Sequence, residues 1–265
     1  MKNYFLIFTF LPFIGFTQPN CKAFLYDGDT LQYKACLLVE NVEDYQFDRK
    51  FHEKFDEALK ICPHFAYAYR EKSTAYLKSG DFITWKQIID KAVAYDWKSN
   101  LGYRGWCRYQ FFKDYSGAIA DIERLDSLVK YDIGSGINGD YHLNITKAMC
   151  YSALGNKQKA IETIENQLKI PNYEAGLYDY YQLGVCYFEV NNYALALENF
   201  EQQSLRNQFA ENEFYKAKIH KIQKNDLKLR QHKALALSLH EQDKIMFDPY
   251  AAHFNKIYLE EIETL

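Results

Sequence analysis

The chain has 265 residues, of which 48% are hydrophobic and 17% aromatic, with 32 basic residues against 35 acidic ones and a formal net charge of −3. A chain of this length and apolar content can bury a substantial core. Binding to a nucleic-acid backbone requires a concentrated positive surface. The balanced charge and the lack of a long basic run therefore make nucleic acid a poor candidate partner.

The first seventeen residues have the pattern of a secretory signal peptide. Lys2 is followed by an apolar run at residues 5–16, and Gly15 and Thr17 are small enough for a cleavage site. A helix of twelve residues spans about 18 Å, which is too short to cross a hydrocarbon core of about 30 Å. We therefore expect residues 1–17 to be removed and the chain to be periplasmic or secreted, with no membrane span after cleavage.

A lead-in at residues 18–28 precedes a long succession of predicted helices. Pro63 cannot continue a helix, and residues 79–81 form a Ser-Gly-Asp turn, so both mark helix boundaries. The predicted helices lie at about 30–43, 47–61, 65–79, 82–95, 101–112, 115–129, 141–154, 157–169, 175–190, 193–206, 211–223 and 226–241.

A final amphipathic helix is predicted at residues 249–265. Phe254, Ile257, Tyr258 and Ile262 lie at spacings of three and four, which is the period of one helix face. We expect this helix to cover the open end of the preceding helices. A tail that binds a partner is the alternative.

The chain repeats itself every 33 to 42 residues between residues 66 and 210. The repeats are strongest in two neighbouring units, where the matching residues are small or aromatic. At a single offset of 36 residues, five positions match: Ala148 with Gly184, Cys150 with Cys186, Tyr151 with Tyr187, Ala160 with Ala196, and Ile164 with Phe200.

This order of small and aromatic residues resembles the tetratricopeptide repeat, a helix-turn-helix unit of 34 residues, here of an exported bacterial type. The resemblance implies an all-α, right-handed solenoid of about five to six antiparallel helix pairs with a C-terminal capping helix. Two positions depart from the pattern: Trp85 replaces an Ala, and Gly105 lies one residue too far from Tyr115. The repeats extend over about 29–63, 66–99, 100–140, 141–174, 177–210 and 211–241, of which the first and last are degenerate.

The repeat at 100–140 is lengthened by a loop with three glycines. Its oxygen-bearing side chains lack the alternate-residue spacing and terminal Glu of a calcium-binding loop. Its Gly-x-Gly-x-x-Gly pattern follows a helix rather than a strand, unlike a dinucleotide-binding turn. We interpret the loop as an extended connection. The residues concerned are Asp132, Gly134, Ser135, Gly136, Asn138, Gly139 and Asp140.

No residue spacing typical of catalysis or metal binding occurs in the chain. His52-Glu53 lacks a second His four residues on, the seven histidines are scattered, and Gly-x-Ser-x-Gly is missing. The sequence therefore predicts a protein that is not an enzyme and uses no metal and no cofactor. An unrecognised activity in the loop at 134–140 is an alternative.

The six cysteines fall into two groups. Cys150 and Cys186 occupy the same position in successive repeats, with Cys107 close to it, and equivalent points on packed helices are too far apart for a bridge. We expect those three to be buried thiols. Cys21, Cys36 and Cys62 surround the first repeat, where one disulfide is possible in an oxidising compartment. Lipid modification of Cys21 is less favoured, because residues 18–20 lack the small side chains of a lipobox.

The resemblance also implies where a partner would bind, because the first helices of successive pairs line a concave groove in this family. The positions that correspond to groove-facing residues are Arg70, Thr74, Lys78, Tyr103, Arg104, His142, Ile145, Met149, Tyr178, Tyr181 and Phe188. Their mixture of cations and aromatics suits a protein or peptide segment that is acidic or contains aromatics. The family's paired Lys and Asn clamp is not reproduced, which disfavours a chaperone C-terminus.

These patterns give a leading hypothesis and one alternative of another class. The first is a non-catalytic scaffold that binds a peptide or helix of an envelope or secreted protein. The second is a small-ligand or glycan-binding protein that uses Tyr103, Tyr178 and Tyr181 as stacking surfaces. The sequence leaves the oligomeric state undetermined.

Overall fold

The computed structural model describes residues 19–265, so the predicted signal peptide at 1–17 lies outside the described residues. Regular structure in the described range is helical, apart from one isolated β-bridge between Ser135 and His142. The chain divides after Asp96 into two compact units. Among the helices of residues 19–265, none combines the length and apolar character required to cross a membrane.

The first unit, over its described residues 19–96, contains five helices. Helix α2 packs against α3, and α4 packs against α5. The side chains of Asp29 and Asp81 accept hydrogen bonds from the first-turn amides of α2 and α5. The helices are α1 (Cys21–Tyr26), α2 (Thr30–Val39), α3 (Arg49–Ile61), α4 (Ala66–Ser79) and α5 (Phe82–Tyr95).

A disulfide joins α1 to α2 in this unit. It links Cys21 and Cys36, whose Cα atoms lie 5.4 Å apart, whereas Cys62 is a buried free thiol. The bridge lies in a core that includes Phe55 and Phe65. The disulfide whose partners the sequence did not determine is therefore Cys21–Cys36. Lipid modification would require the Cys21 sulfur, which is already bonded to Cys36.

The second unit, residues 97–265, contains four helix pairs and a short C-terminal helix. Asp114, Asn156, Asn192 and Asn225 each cap the second helix of a pair, which fixes where those helices begin. The helices are α6 (Trp97–Cys107), α7 (Tyr115–Leu128), α8 (Leu143–Ala153), α9 (Lys157–Leu168), α10 (Asp179–Glu189), α11 (Tyr193–Arg206), α12 (Ala210–Ile222), α13 (Asp226–Glu241) and α14 (Leu259–Glu263). The expected buried thiols Cys107, Cys150 and Cys186 are confirmed.

Helix α6 continues into a π-helical turn at Arg108–Phe112. This turn lies between Gly105 and Tyr115, where the sequence has one residue more than the other repeats. A π-helical turn accommodates one extra residue without ending the helix. The departure from the repeat pattern therefore has a local structural solution, and the following helix α7 keeps its place in the pair.

Helices α10 and α11 approach closely because a glycine faces a phenylalanine. A Cβ atom built on Gly184 would lie 2.5 Å from Cε1 of Phe200, and that ring is completely buried. In the preceding pair, Ala148 and Ile164 occupy the equivalent positions and are also fully buried. The two pairs thus fill similar space with different combinations of small and large side chains.

Gly184→Ala is expected to destabilise the second unit by about 1–3 kcal/mol, because the added methyl group overpacks the contact with Phe200. Adding Phe200→Ile recreates the Ala and Ile combination of the preceding pair and should recover part of that loss. Urea unfolding of the two single variants and the double variant measures the coupling. Strictly additive effects would contradict this packing relationship.

The predicted helix at 249–265 is wrong except at α14 (Leu259–Glu263). Residues 244–258, which we call the strap, contain no helix. Asp248 does accept hydrogen bonds from the amides of Tyr250 and Ala251, as a helix cap would, but the chain then continues in an irregular path. Helix α14 packs against α13, so part of the expected cover over the last pair is present.

Candidate functional site

The strap lies across the first helices of the pairs in the second unit. We call the surface beneath it the inner face. It consists of polar and aromatic side chains from the π-helical turn, from the residues that precede α8 and α10, and from α10 and α12. These are Gln110, Tyr141, Tyr178, Tyr181, Gln182 and Glu211.

The centre of the inner face binds the backbone of the strap. The Tyr181 hydroxyl donates to the carbonyl of Asn255 at 2.6 Å, and the Gln182 amide nitrogen donates to the carbonyl of Phe254 at 3.1 Å. The Asn255 amide nitrogen donates to Oε1 of Gln182 at 2.8 Å. Because Tyr181 and Gln182 are 0% and 1% exposed, these bonds form away from competing water.

Aromatic contacts flank these hydrogen bonds. The His253 ring packs edge-on against Tyr178 at 5.2 Å and Tyr141 at 6.2 Å between centroids. The Phe254 ring packs edge-on against Tyr115 at 6.4 Å. Such edge-on arrangements are favourable for aromatic pairs. The inner face therefore holds both the backbone and the ring-bearing side chains of this segment.

Charged and polar groups fix the strap at two further points. Glu211 is fully buried and accepts from the Met246 amide at 3.0 Å and from the Lys256 ammonium at 2.7 Å. The Asp248 carboxylate accepts from the side-chain amides of Gln110 and Asn138, each at 3.3 Å. The strap thus folds back on itself, and both of its arms reach Glu211.

The glycine-rich loop has a structural role next to this site. Gly134 and Gly139 have φ angles of 72° and 77°, which favour glycine, and a Cβ on Gly136 would lie 2.3 Å from the Trp106 ring. Its Asn138 holds Asp248 of the strap. Among residues 19–265, no three His, Cys, Asp or Glu side chains come together as a metal site. The extended connection inferred from the sequence therefore packs on α6 and supports the strap.

Several residues expected to face an open groove are buried instead. His142 accepts from the Asn144 amide and lies 2.7 Å from Asp132, so it caps α8. Tyr178 and Tyr181 lie beneath the strap, which corrects the expectation that their faces are available for a partner or a sugar. The full set of expected groove residues that are buried is His142, Ile145, Met149, Tyr178 and Tyr181.

The other expected groove residues keep some exposure. In the first unit, α4 presents Lys78 as an exposed side chain, whereas Arg70 and Thr74 are half-buried. In the second unit, the half-buried Arg104 donates to Asp121 of α7 at 2.8 Å, so it serves the packing of the pair. Their binding to a partner stays a prediction.

Tyr103 and Phe188 are half-buried in the second unit. The Phe188 ring contacts Tyr193 and Tyr215 at 5.7 and 5.3 Å. Lys218 of α12 lies over Phe188 at 5.3 Å. Phe188 is thus a partly exposed aromatic between two first helices, in a position that a partner can reach.

Sequence reasoning missed Gln182 and Glu211. Gln182 is the polar residue in an otherwise apolar stretch of α10, residues 180–187, and that contrast was the available signal. Glu211 lies in the degenerate repeat at 211–241, for which the family resemblance implies no groove-facing residue. Both are buried polar groups, which proteins retain only with partners.

The family model of the tetratricopeptide repeat matches residues 141–172, which contain α8 and α9. Residues 141–172 are a tetratricopeptide repeat. The matched pair is the one whose equivalent positions define the 36-residue offset in the sequence. No curated protein matches this chain.

Solved tetratricopeptide repeat structures are similar to it, each at 14% identity. PilF of Pseudomonas aeruginosa superposes with a TM-score of 0.55 over 83% of this chain and 89% of PilF. PilW, described as a widely conserved type IV pilus biogenesis factor, has a TM-score of 0.59 over 92% of this chain and 94% of its own. YrrB, described as having an unusual peptide-binding site, has a TM-score of 0.55 over 72% and 94%. At this identity the likeness shows the shared fold.

Proposed function

We propose that this tetratricopeptide repeat protein is a non-catalytic scaffold that binds a peptide or helix of another exported protein on its first helices. The observation that carries the proposal is the hydrogen bonding between α10 and the strap. Tyr181 and Gln182 accommodate the backbone carbonyls of two successive residues, Phe254 and Asn255. A surface that binds the backbone carbonyls of a turn of its own chain in this way has the donors that a partner peptide requires.

The similar structures and the cysteines support the other parts of the proposal. YrrB, which has the same fold, is described as having a peptide-binding site. Export rests on the signal peptide expected at residues 1–17. The Cys21–Cys36 disulfide is consistent with it, because such bonds persist in oxidising compartments. A periplasmic or secreted partner is therefore the one to seek.

The small-ligand alternative loses its main support in the structure. A sugar that stacks on an aromatic ring needs an exposed ring face, and Tyr178 and Tyr181 are 5% and 0% exposed. Tyr103 alone of the three keeps partial exposure. Protein binding is the function that this geometry supports best.

Crosslinking in intact cells of the native host, with the full chain as bait, tests the proposal. We expect a specific exported protein to be crosslinked and then to bind the purified chain saturably. Phe188→Ala should weaken this binding roughly tenfold, as removal of an aromatic contact does at interfaces. Leu205→Ala is the matched control, because Leu205 of α11 is 80% exposed on a second helix. Saturable binding that is insensitive to Phe188→Ala, or no protein binding at all, would contradict the proposal.

A further inference from the structure

The strap occupies the place on the first helices of the second unit where a partner peptide would lie. In its first arm, the Met246 amide bonds to Glu211 and Asp248 bonds to Gln110. The chain then returns, and Phe254 and Asn255 bond to Gln182. Its return arm supplies two backbone carbonyls, one amide side chain and one ammonium group to the inner face. The carbonyls are features that any peptide in the same conformation offers.

Two buried polar atoms at the contact between the strap and the inner face form no hydrogen bond within residues 19–265. The His253 Nε2 atom and the Glu211 Oε2 atom are buried without a hydrogen-bond partner. A buried polar atom without a partner costs free energy, so both atoms weaken the closed state relative to one in which a ligand supplies the missing hydrogen bonds. In addition, the Phe247 side chain of the strap is 71% exposed and therefore contributes little to holding the strap on the inner face. Both features lower the free-energy cost of displacing the strap.

We propose that the inner face of the second unit is a peptide site that the strap holds closed. Its partner carries a short sequence of aromatic, amide, basic and aliphatic residues, equivalent to residues 254–257 and in the same turn conformation, which displaces the strap. This inference rests on the proposed function and adds to it the chemistry of the partner.

Each position of the sequence follows from a contact that the strap makes with the inner face or with the neighbouring Tyr115. The aromatic residue packs on Tyr115, as Phe254 does, and the amide pairs with Gln182, as Asn255 does. The basic residue neutralises Glu211, which excludes an acidic residue there. The aliphatic residue takes the buried position of Ile257. The site thus selects a basic segment, in contrast to the acidic segment suggested by the sequence.

A tethered competitor sets the affinity that a partner must have. A segment on the same chain acts at an effective concentration on the order of 1 mM. If the strap as a free peptide binds the inner face with a Kd of about 1 µM, the closed protein binds any competing peptide roughly a thousandfold more weakly than the open protein does. Weakening the strap without changing the inner face should therefore increase the affinity for a peptide added in solution.

The test titrates a fluorescein-labelled peptide of residues 250–260 with the full chain and follows anisotropy. Phe254→Ala/Asn255→Ala in the protein is expected to tighten binding at least tenfold, because these changes act on the strap alone. Adding Gln182→Ala to that variant should abolish the gain in peptide affinity, because Gln182 belongs to the inner face. A control peptide with alanine at the same two positions should not bind either protein.

Several outcomes would overturn the inference. One is unchanged peptide affinity in the Phe254→Ala/Asn255→Ala variant while limited proteolysis shows that its strap is released. Loss of helical circular dichroism at 25 °C in that variant and in the milder Asn255→Ala variant would show that the strap is part of the core. Formation of a dimer with exchanged straps would assign the site to a second copy. If a crosslinked partner binds equally well with and without the strap substitutions, the proposed function stands and this inference fails.

Discussion

Replacing Glu213 by Gln is expected to destabilise the second unit by about 3 kcal/mol, because it leaves the buried positive charge of Lys216 without its buried partner. Glu213 on α12 is 1% exposed and accepts from the Lys216 ammonium at 3.0 Å. It also lies 2.7 Å from Nδ1 of His232 and accepts from the Ser204 hydroxyl at 3.1 Å. Glutamine keeps the shape of the side chain but removes the charge that balances Lys216.

Glu201→Gln is the matched control for this prediction. Glu201 also contacts Lys216, at 3.1 Å, but it is 61% exposed. An exposed ion pair contributes less than about 1 kcal/mol. Urea unfolding of both variants measures the difference, and equal effects would show that burial does not determine the strength of this network.

The same network predicts a dependence on pH. Burial alone would raise the pKa of Glu213, but the hydrogen bonds from His232 and Lys216 and their charges outweigh it and lower the pKa below its usual 4.5. In the unfolded chain the carboxyl takes up a proton more readily. The stabilisation is therefore present above about pH 4.5 and is lost as the pH falls through the lowered folded-state value. Glu213→Gln should lose less stability on acidification than the unaltered chain.

Removal of the Cys21–Cys36 disulfide is expected to destabilise the first unit by about 3 kcal/mol. The bridge closes a loop with a sequence separation of 15 residues, and opening such a loop restores that much chain entropy to the unfolded state. Hydrogen exchange of peptides from residues 19–96, with and without reductant, measures the change. Faster exchange in reductant is the expected result.

Two variants separate the disulfide from other effects of the reductant. Cys21→Ala/Cys36→Ala should exchange rapidly in both conditions. Cys62→Ala should keep the response to reductant, because Cys62 is a free thiol. An unaltered exchange rate in the reduced chain would mean that packing around Phe55 and Phe65 suffices to hold α1 in place.

The helix pairs were predictable because their ends are encoded locally. Pro63 follows α3 closely, and Gly80 adopts the left-handed conformation after α4, with a φ of 82°. Asn192 caps α11 at the predicted boundary. Caps, breakers and small residues act within a few positions of the chain, so a single sequence reveals them.

The strap was not predictable for the opposite reason. The spacing of Phe254, Ile257 and Ile262 suits a helix, and it is equally compatible with an irregular segment when other residues satisfy the backbone. Those other residues are Tyr181 and Gln182, more than seventy positions earlier in the chain. The groove assignment located Tyr178 and Tyr181 beside the site, but local patterns contain no information about what covers them.

The pairing of Gly184 with Phe200 also bears on how the gene can change. In the neighbouring repeat the equivalent residues are Ala148 and Ile164. Unequal recombination with a breakpoint inside a repeat would join Ala148 to Phe200 and create a steric clash, whereas the reciprocal product would join Gly184 to Ile164 and leave a void. Duplication or loss of whole repeats keeps each combination intact. The array can therefore change in length mainly by steps of complete helix pairs.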